Sequence, residues 1–288
     1  MGFGLVTASV VAMAAMGFTL QFAISGIFNL TYGDVMTASA FSALLAAEAG
    51  LGLGPTLVVG GVTGAVVSLL LERGVFTPFL KRGTGLFGIV VVTIGASLIL
   101  QNILQVVTKA DLFHYPFRSQ GRLRIAGMVF TDIQLEIIAL TLVAVVVLHQ
   151  ALRRTKMGKA IRATAVNPEL ARSCGVSTKK VNDTTWLVSG ALCGLGGVIL
   201  AINIISFNFT TGSEFLVLLI SAAVLGGVGH PIGATLGALV IGISSEMAAT
   251  LVDPSYKLLV AFVILGVVLL TRPQGIMSDI AVRKNVVA

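Results

Sequence analysis

Few side chains in this 288-residue sequence could do chemistry. The three histidines, His114, His149 and His230, lie far apart in different segments and lack the short spacings that bring imidazoles onto one metal ion. Cys174 sits in a basic stretch and Cys193 in an apolar run, so neither a disulfide framework nor a thiolate metal site is suggested. A serine intramembrane protease would want glycine two residues before Ser189, and that position is Leu187. No phosphate-binding loop of the G-x-x-x-x-G-K-[ST] kind is present. The expectation is a chain without catalytic residues, metal ligands or a bound cofactor, and therefore not an enzyme.

The chemistry that remains is polar recognition inside apolar surroundings. Gln21, Asn29, Asp34, Glu48, Gln101, Asn102, Gln105, Asn203, Glu214 and Glu246 fall in or beside apolar runs, where a polar group is expensive and invites a functional reading. Gln21, Asn29 and the glycines Gly226, Gly227 and Gly229 are the candidates for a substrate pathway, where amides and freed backbone groups could meet a charged solute. Hydrogen bonding between helices is the competing account of each. Asp34, Glu48, Glu214 and Glu246 lie near the ends of apolar runs, where solvation or a local base suffices. Trp186 and Tyr256, at run edges, read as aromatic anchors.

The segment from Arg153 to Asp183 carries its own helix punctuation. Asn167 suits an N-cap, Pro168 the first helical position, Glu169 the positive end of the helix dipole and Gly175 a left-handed stop. The spacing predicts a two-turn helix from Pro168 to Cys174. A helix that short is marginal in water, so it must pack on something, either a partner or its own bundle.

The elements that hold these residues follow from composition. Apolar residues make up 56% of the chain and charged ones 11%, against about 25% charged in an ordinary soluble domain. Low charge and high hydrophobicity exclude disorder as well. Charge-free runs at Met1 to Gly33, Ala49 to Leu71, Gly83 to Thr108, Thr184 to Ser213 and Phe215 to Ser245 each reach the roughly 20 residues that cross a bilayer. Shorter runs at Val35 to Ala47, Ile137 to Leu152 and Leu258 to Thr271 raise the expected total to eight or nine. The predicted fold is therefore all-α, a polytopic transmembrane helical bundle forming one domain over residues 1–288. Ser25-Gly26 with Asn29, and Gly226-Gly227-Val228-Gly229-His230-Pro231, interrupt the apolar pattern and mark broken or re-entrant helices. A short echo links Gly54-Pro55-Thr56-Leu57 with Gly233-Ala234-Thr235-Leu236, and transporters often contain repeats. The N-terminal run lacks the basic flank of a secretory signal and is expected to remain as structure.

The formal charge of +7 lies between the apolar runs rather than on one folded basic face, which argues against nucleic acid as a partner. Fourteen bases fall in Arg73 to Arg82, Arg153 to Lys180 and Arg272 to Lys284, and five in the remaining connections. The positive-inside rule puts the first group in the cytoplasm. The N-terminus then lies outside and the C-terminus inside, with residues 153–183 as a cytoplasmic loop.

In that loop Glu169-Leu-Ala-Arg-Ser-Cys-Gly175 resembles the E-A-A-x-x-x-G motif of ATP-binding cassette importer permeases, with Leu170 in place of the first alanine. Gly17-Phe-Thr-Leu-Gln-Phe-Ala-Ile-Ser-Gly-Ile-Phe-Asn-Leu-Thr-Tyr-Gly-Asp34, Leu225-Gly-Gly-Val-Gly-His-Pro-Ile-Gly-Ala234 and Arg272-Pro-Gln-Gly275 resemble the branched-chain amino acid (Liv-type) permeases. That family usually reads asparagine, phenylalanine, alanine, histidine, glycine, glutamate where this chain ends in Tyr32, Gly33 and Asp34. The resemblance implies a half-pore in a bacterial or archaeal plasma (inner) membrane, working with a second homologous permease, two cytoplasmic ATPase subunits and an extracytoplasmic substrate-binding protein. ATP and Mg would be held by those ATPase subunits. It also implies branched-chain or other hydrophobic amino acids as cargo. The loop helix would sit in a socket on an ATPase, with Ala171 allowing close approach and Arg162 and Arg172 pairing with acids there. The alternative is a secondary transporter or channel that acts alone through intramembrane carboxylates.

Overall fold

The computed structural model describes residues 2–117, 121–125, 128–204, 206–251, 253, 256–271 and 275–276. Arg118 and, apart from Gly275 and Ile276, the basic segment from Arg272 to Lys284 lie outside the described residues.

The chain is almost entirely helical. In order come α1 (Gly2–Ser25), α2 (Tyr32–Glu48), α3 (Leu53–Leu71), a π-turn (Glu72–Phe76), α4 (Thr77–Lys81) and α5 (Leu86–Thr108). A short antiparallel hairpin follows, β1 (Arg122–Ile125) on β2 (Met128–Thr131), and is the one departure among the described residues from the expected all-α fold. Then come α6 (Asp132–Arg154), α7 (Lys156–Val166), α8 (Pro168–Ser173), α9 (Thr178–Asn203), α10 (Thr211–Gly226), α11 (Pro231–Leu251) and α12 (Lys257–Thr271). Among the described residues six stretches are long and apolar enough to cross a membrane: α1, α3 running on into α4, α5, α6, α9 and α11. The expectation of eight or nine spans counted α2, α10 and α12 as well, each 17 residues or fewer.

Both expected breaks occur. α1 stops at Ser25, where Gly26 takes a φ of +65°, and α10 and α11 are parted by Gly227 and Gly229 at φ +102° and +94°. A third break, between Asn203 and Thr211, divides the run from Thr184 to Ser213 that charge alone marked as continuous.

α1 and α9 form the centre, with 78% and 72% of their apolar windows buried against 17% for α5 and α6. They are antiparallel, because Gly17 of α1 meets Ser189 of α9 while Ala14 meets Gly196. α1 also packs on α11, and α9 packs on α3; α2 lies against α3 and α10 against α11, and α2 meets α10 between them. Exchanging α1–α3 with α9–α11 thus carries the main contacts onto one another, with the halves running in opposite directions. The sequence carries the same symmetry. One interval takes Asn29-Leu-Thr-Tyr-Gly33 to Asn208-Phe-Thr-Thr-Gly212 and also takes Gly54-Pro-Thr-Leu to Gly233-Ala-Thr-Leu. Inverted repeats of this kind are a common plan of membrane transporters.

Small residues set the spacing. A Cβ on Gly64 would collide with the Gly190 carbonyl and one on Gly194 with the Gly60 carbonyl, so α3 and α9 touch backbone to backbone. Gly242 does the same against Ala8 where α11 crosses α1. In lipid, where apolar side chains gain little by leaving the solvent, close backbone approach and dispersion hold helices together. The outward side chains are correspondingly apolar, among them Val62 and Val66 of α3, Ile99 and Ile103 of α5 and Val143 and Val147 of α6.

Candidate functional site

The basic end of the bundle is built by α7 and α8. α7 is positioned by its cap: the Thr155 hydroxyl accepts from the Gly158 amide at 2.9 Å, and a Cβ at Gly158 would strike the carbonyls of Ala151 and Leu152. The glycine therefore permits the tight corner between α6 and α7. Gly158, Ile161 and Thr164 face inward at helical spacing. Arg162 is exposed and donates to the Leu152 carbonyl at 2.9 Å, which ties the α7 surface back to the end of α6.

The helix predicted from Pro168 to Cys174 is observed as Pro168–Ser173, with Cys174 as its cap residue. The Asn167 side chain accepts from the amides of Glu169 at 3.1 Å and Leu170 at 2.9 Å. At the other end the Gly175 amide donates to the Arg172 carbonyl and the Val176 amide to the Ala171 carbonyl, both at 3.0 Å. Gly175 holds a φ of +83°. That pair of bonds is the Schellman arrangement, which turns the chain sharply and feeds it into α9.

With the end of α7 the helix presents a knob. Val166 is 88% exposed and Leu170 62%, beside exposed Pro168 and Glu169. Ala171 points the other way and is buried in its own bundle, so it anchors α8 and leaves no surface for a partner. Close approach of a second protein thus falls to Val166, Leu170 and Glu169. Arg172 is exposed and reaches the Thr178 hydroxyl at 3.4 Å. A cavity of about 630 Å³ separates α8 from the feet of α1, α3 and α9.

Trp186, expected as an interfacial anchor, is only 1% exposed. Its ring lies 5.3 Å from that of Phe76, and Ile27 and Ile89 close the cluster. One turn away Asn182 donates to Glu72 at 2.7 Å and Arg73 pairs with Asp183 at 2.6 Å. None of these polar residues stands out in the sequence, because Glu72-Arg73 and Asn182-Asp183 read as charged flanks of apolar runs; only the fold brings the two flanks together.

The pathway candidates separate into two kinds. Gln21 is buried and accepts from Ser189 of α9 at 3.1 Å, a bond between the two central helices. Asn29 is also buried, and its side-chain oxygen accepts from the Thr31 amide at 3.1 Å, which shapes the break after α1. Gly226 lies against Gly233 and Gly227 against Gly275, while Gly229 reaches the last turns of α1 at Ala23, so the glycine turn and Gln21 share the basic end of α1.

Asp34 corrects the sequence reading. It is fully buried and no base pairs with it among the described residues; the Ser97 hydroxyl donates to one carboxylate oxygen, and the other has no hydrogen-bond partner. Here the N-termini of α2 and α10 converge, with Gly33 against Gly212 and the Gly212 amide donating to Thr37 at 3.0 Å. A carboxylate in the first turn offsets the partial positive charge of those two ends. α5 covers this junction with a polar stripe at every fourth residue: the Thr93 carbonyl accepts from Thr31, Ser97 meets Asp34, and Gln101 donates to Ser213 at 3.1 Å. Glu246 finds its local base in Lys257 at 2.7 Å, and Glu48 and Glu214 are exposed. Among the described residues no group of His, Cys, Asp and Glu side chains is placed to hold a metal ion.

A bundle of apolar helices with an inverted repeat and a capped surface helix defines a membrane transport component. The chain belongs to the family described as branched-chain amino acid transport system / permease component, whose profile matches residues 1–269. It is similar to the high-affinity branched-chain amino acid transport system permease protein LivH of Escherichia coli K12, 28% identical over 98% of this chain and 95% of the relative. The corresponding permease protein BraD of Pseudomonas aeruginosa is 28% identical with the same coverage. The ribose import permease protein RbsC of Escherichia coli is 26% identical over 89% of this chain and 80% of its own length. No solved structure matches the chain.

Proposed function

We propose that this chain is the membrane permease subunit of an ATP-binding cassette importer for branched-chain or other hydrophobic amino acids, set in a bacterial or archaeal plasma membrane. It pairs with a second homologous permease, takes cargo from an extracytoplasmic binding protein and is driven by two cytoplasmic ATPase subunits that hold ATP and Mg. The basic end, with α7 and α8, faces the cytoplasm, and the N-terminus lies outside.

The observation that carries this reading is the corner of α7 and α8: α8, a helix of 6 residues capped at both ends and anchored inward by Ala171, holds Leu170 out into water beside Val166, the last residue of α7. Two apolar side chains held out together on an ordered knob suit a partner surface, and the family of the chain supplies the kind of partner. Amino acid cargo is favoured by the Liv-type relatives, since the ribose permease is less similar and less fully covered.

The test is reconstitution with candidate ATPases and binding proteins and labelled leucine. Gly175→Pro and Glu169→Arg are expected to leave insertion intact and to lower uptake per ATP hydrolysed by about tenfold, the size of a typical coupling between sites. Unchanged transport in both variants overturns the coupling role. Uptake by the purified chain alone, abolished by an ionophore, replaces the importer by a proton-coupled carrier.

A further inference from the structure

The residues that join α9 to the π-turn occupy matching positions on both elements. Asn182 bonds Glu72, Asp183 bonds Arg73 and Trp186 stacks obliquely on Phe76, so successive contacts step along α9 and along the π-turn together. Glu72 is 4% exposed and also accepts from the Thr77 hydroxyl, which fixes the acid at the start of α4. Ile27 adds the segment leaving α1, and Ile89 adds α5. A π-turn inside a helix places its side chains out of ordinary register and often marks a working position.

We infer that Glu72, Arg73 and Phe76 with Asn182, Asp183 and Trp186 form the joint through which a displacement of α8 reaches α1, α3 and α5. The inference rests on the importer reading and names its positioning residues. α8 runs through the Schellman turn at Gly175 directly into α9, and the joint starts one turn into α9. On its other side the cavity of about 630 Å³, lined by Pro168 and Arg172 opposite Arg73, Asp183 and Trp186, leaves α8 clearance to move. A rigid α9 foot converts that movement into tilt, and the joint passes the tilt to three more helices. The Arg73 side chain is 57% exposed in its pair with Asp183. A pair that open contributes little to stability. Its role is directional: it holds one relative placement of α9 and the π-turn.

The experiment uses the complete transporter in proteoliposomes, reading labelled leucine taken up per ATP hydrolysed, beside the melting temperature of the complex. Arg73→Asp and Asp183→Arg are each expected to lower that yield about tenfold with ATP hydrolysis retained and melting little changed, within the range of site-to-site coupling. The Arg73→Asp, Asp183→Arg double swap is expected to recover it to within about threefold of wild type, which shows that the two side chains act as a pair; a pair that only held the fold together would lower melting in the single reversals along with the yield. Asp183→Asn, milder should a reversal fail to insert, is expected to fall between. ATP-driven uptake whose yield ignores both reversals and Asp183→Asn, or reversals that the swap does not rescue, overturns the joint alone. Wild-type uptake that needs no ATP overturns the importer reading and the joint with it.

Discussion

The halves α1–α3 and α9–α11 share a backbone plan and differ in what stands at their feet. Each begins with a long central helix, breaks at an Asn-x-Thr-x-Gly segment, turns into a shorter helix and closes with a third that packs on the other half. In both breaks the asparagine oxygen accepts from the amide two residues on, Thr31 at 3.1 Å and Thr210 at 3.0 Å. At the start, however, α1 enters with Gly2 to Val6 and no charge, whereas α9 enters from α8 with Lys179, Lys180, Asn182 and Asp183. The shared core is what close-packed helices in lipid require. The contacts proposed to carry a displacement of α8 join the start of α9, in one half, to the turn that follows α3, in the other.

That comparison can be broken most sharply at the glycine crossings. Gly194→Val, on α9 against α3, and Gly242→Val, on α11 against α1, are each expected to abolish monodisperse protein on size-exclusion chromatography. Both put side-chain atoms into a neighbouring backbone, and overpacking of this kind costs about 1–3 kcal/mol or more. If one half tolerates the valine and the other does not, the two crossings are not equivalent.

The breaks give a smaller, graded effect. Asn29→Ala is expected to lower thermal stability by about 1 kcal/mol. Asn208→Ala should cost more, because Asn208 also accepts from the hydroxyls of Thr210 at 2.9 Å and Thr211 at 3.1 Å. Equal melting shifts would mean that those added bonds contribute nothing.

An effect no larger, and one that pH can erase, lies in the connection beyond α5. Tyr115 donates to the Ala40 carbonyl at 2.7 Å and stacks on Phe207, so it fastens this connection to both α2 and the break between α9 and α10. Burial pushes its phenol above the ordinary range. A group whose folded pKa is raised contributes stability that is complete below its unfolded value, about 10, and is lost as pH rises toward the folded value. Tyr115→Phe should therefore melt about 1 kcal/mol lower at neutral pH. The gap to wild type should narrow in melting curves taken above about pH 10, and a gap independent of pH would refute the buried phenol.

The bundle was legible because lipid imposes long apolar runs whatever the contacts, and α8 because Asn167, Pro168 and Gly175 act through their own backbone within one turn. Two breaks announced themselves, one by Ser25-Gly26 with Asn29 and the other by clustered glycine before Pro231. The third did not, because Asn208-Phe-Thr lies inside a charge-free run, and only its equivalence to Asn29-Leu-Thr marks it. Composition could not say that Asp34 is buried at two meeting helix ends, that Ala171 faces inward or that Trp186 closes a cluster.

The sequence by itself determined which segments leave water, where the surface helix starts and stops, and which end is basic, since each depends on neighbours a few residues away. Only the tertiary structure decided which helices touch, because residues far apart in the chain meet there and one helical turn separates a lipid-facing side chain from a buried one. Arg73 finds Asp183 across 110 residues, a pairing that no local rule contains.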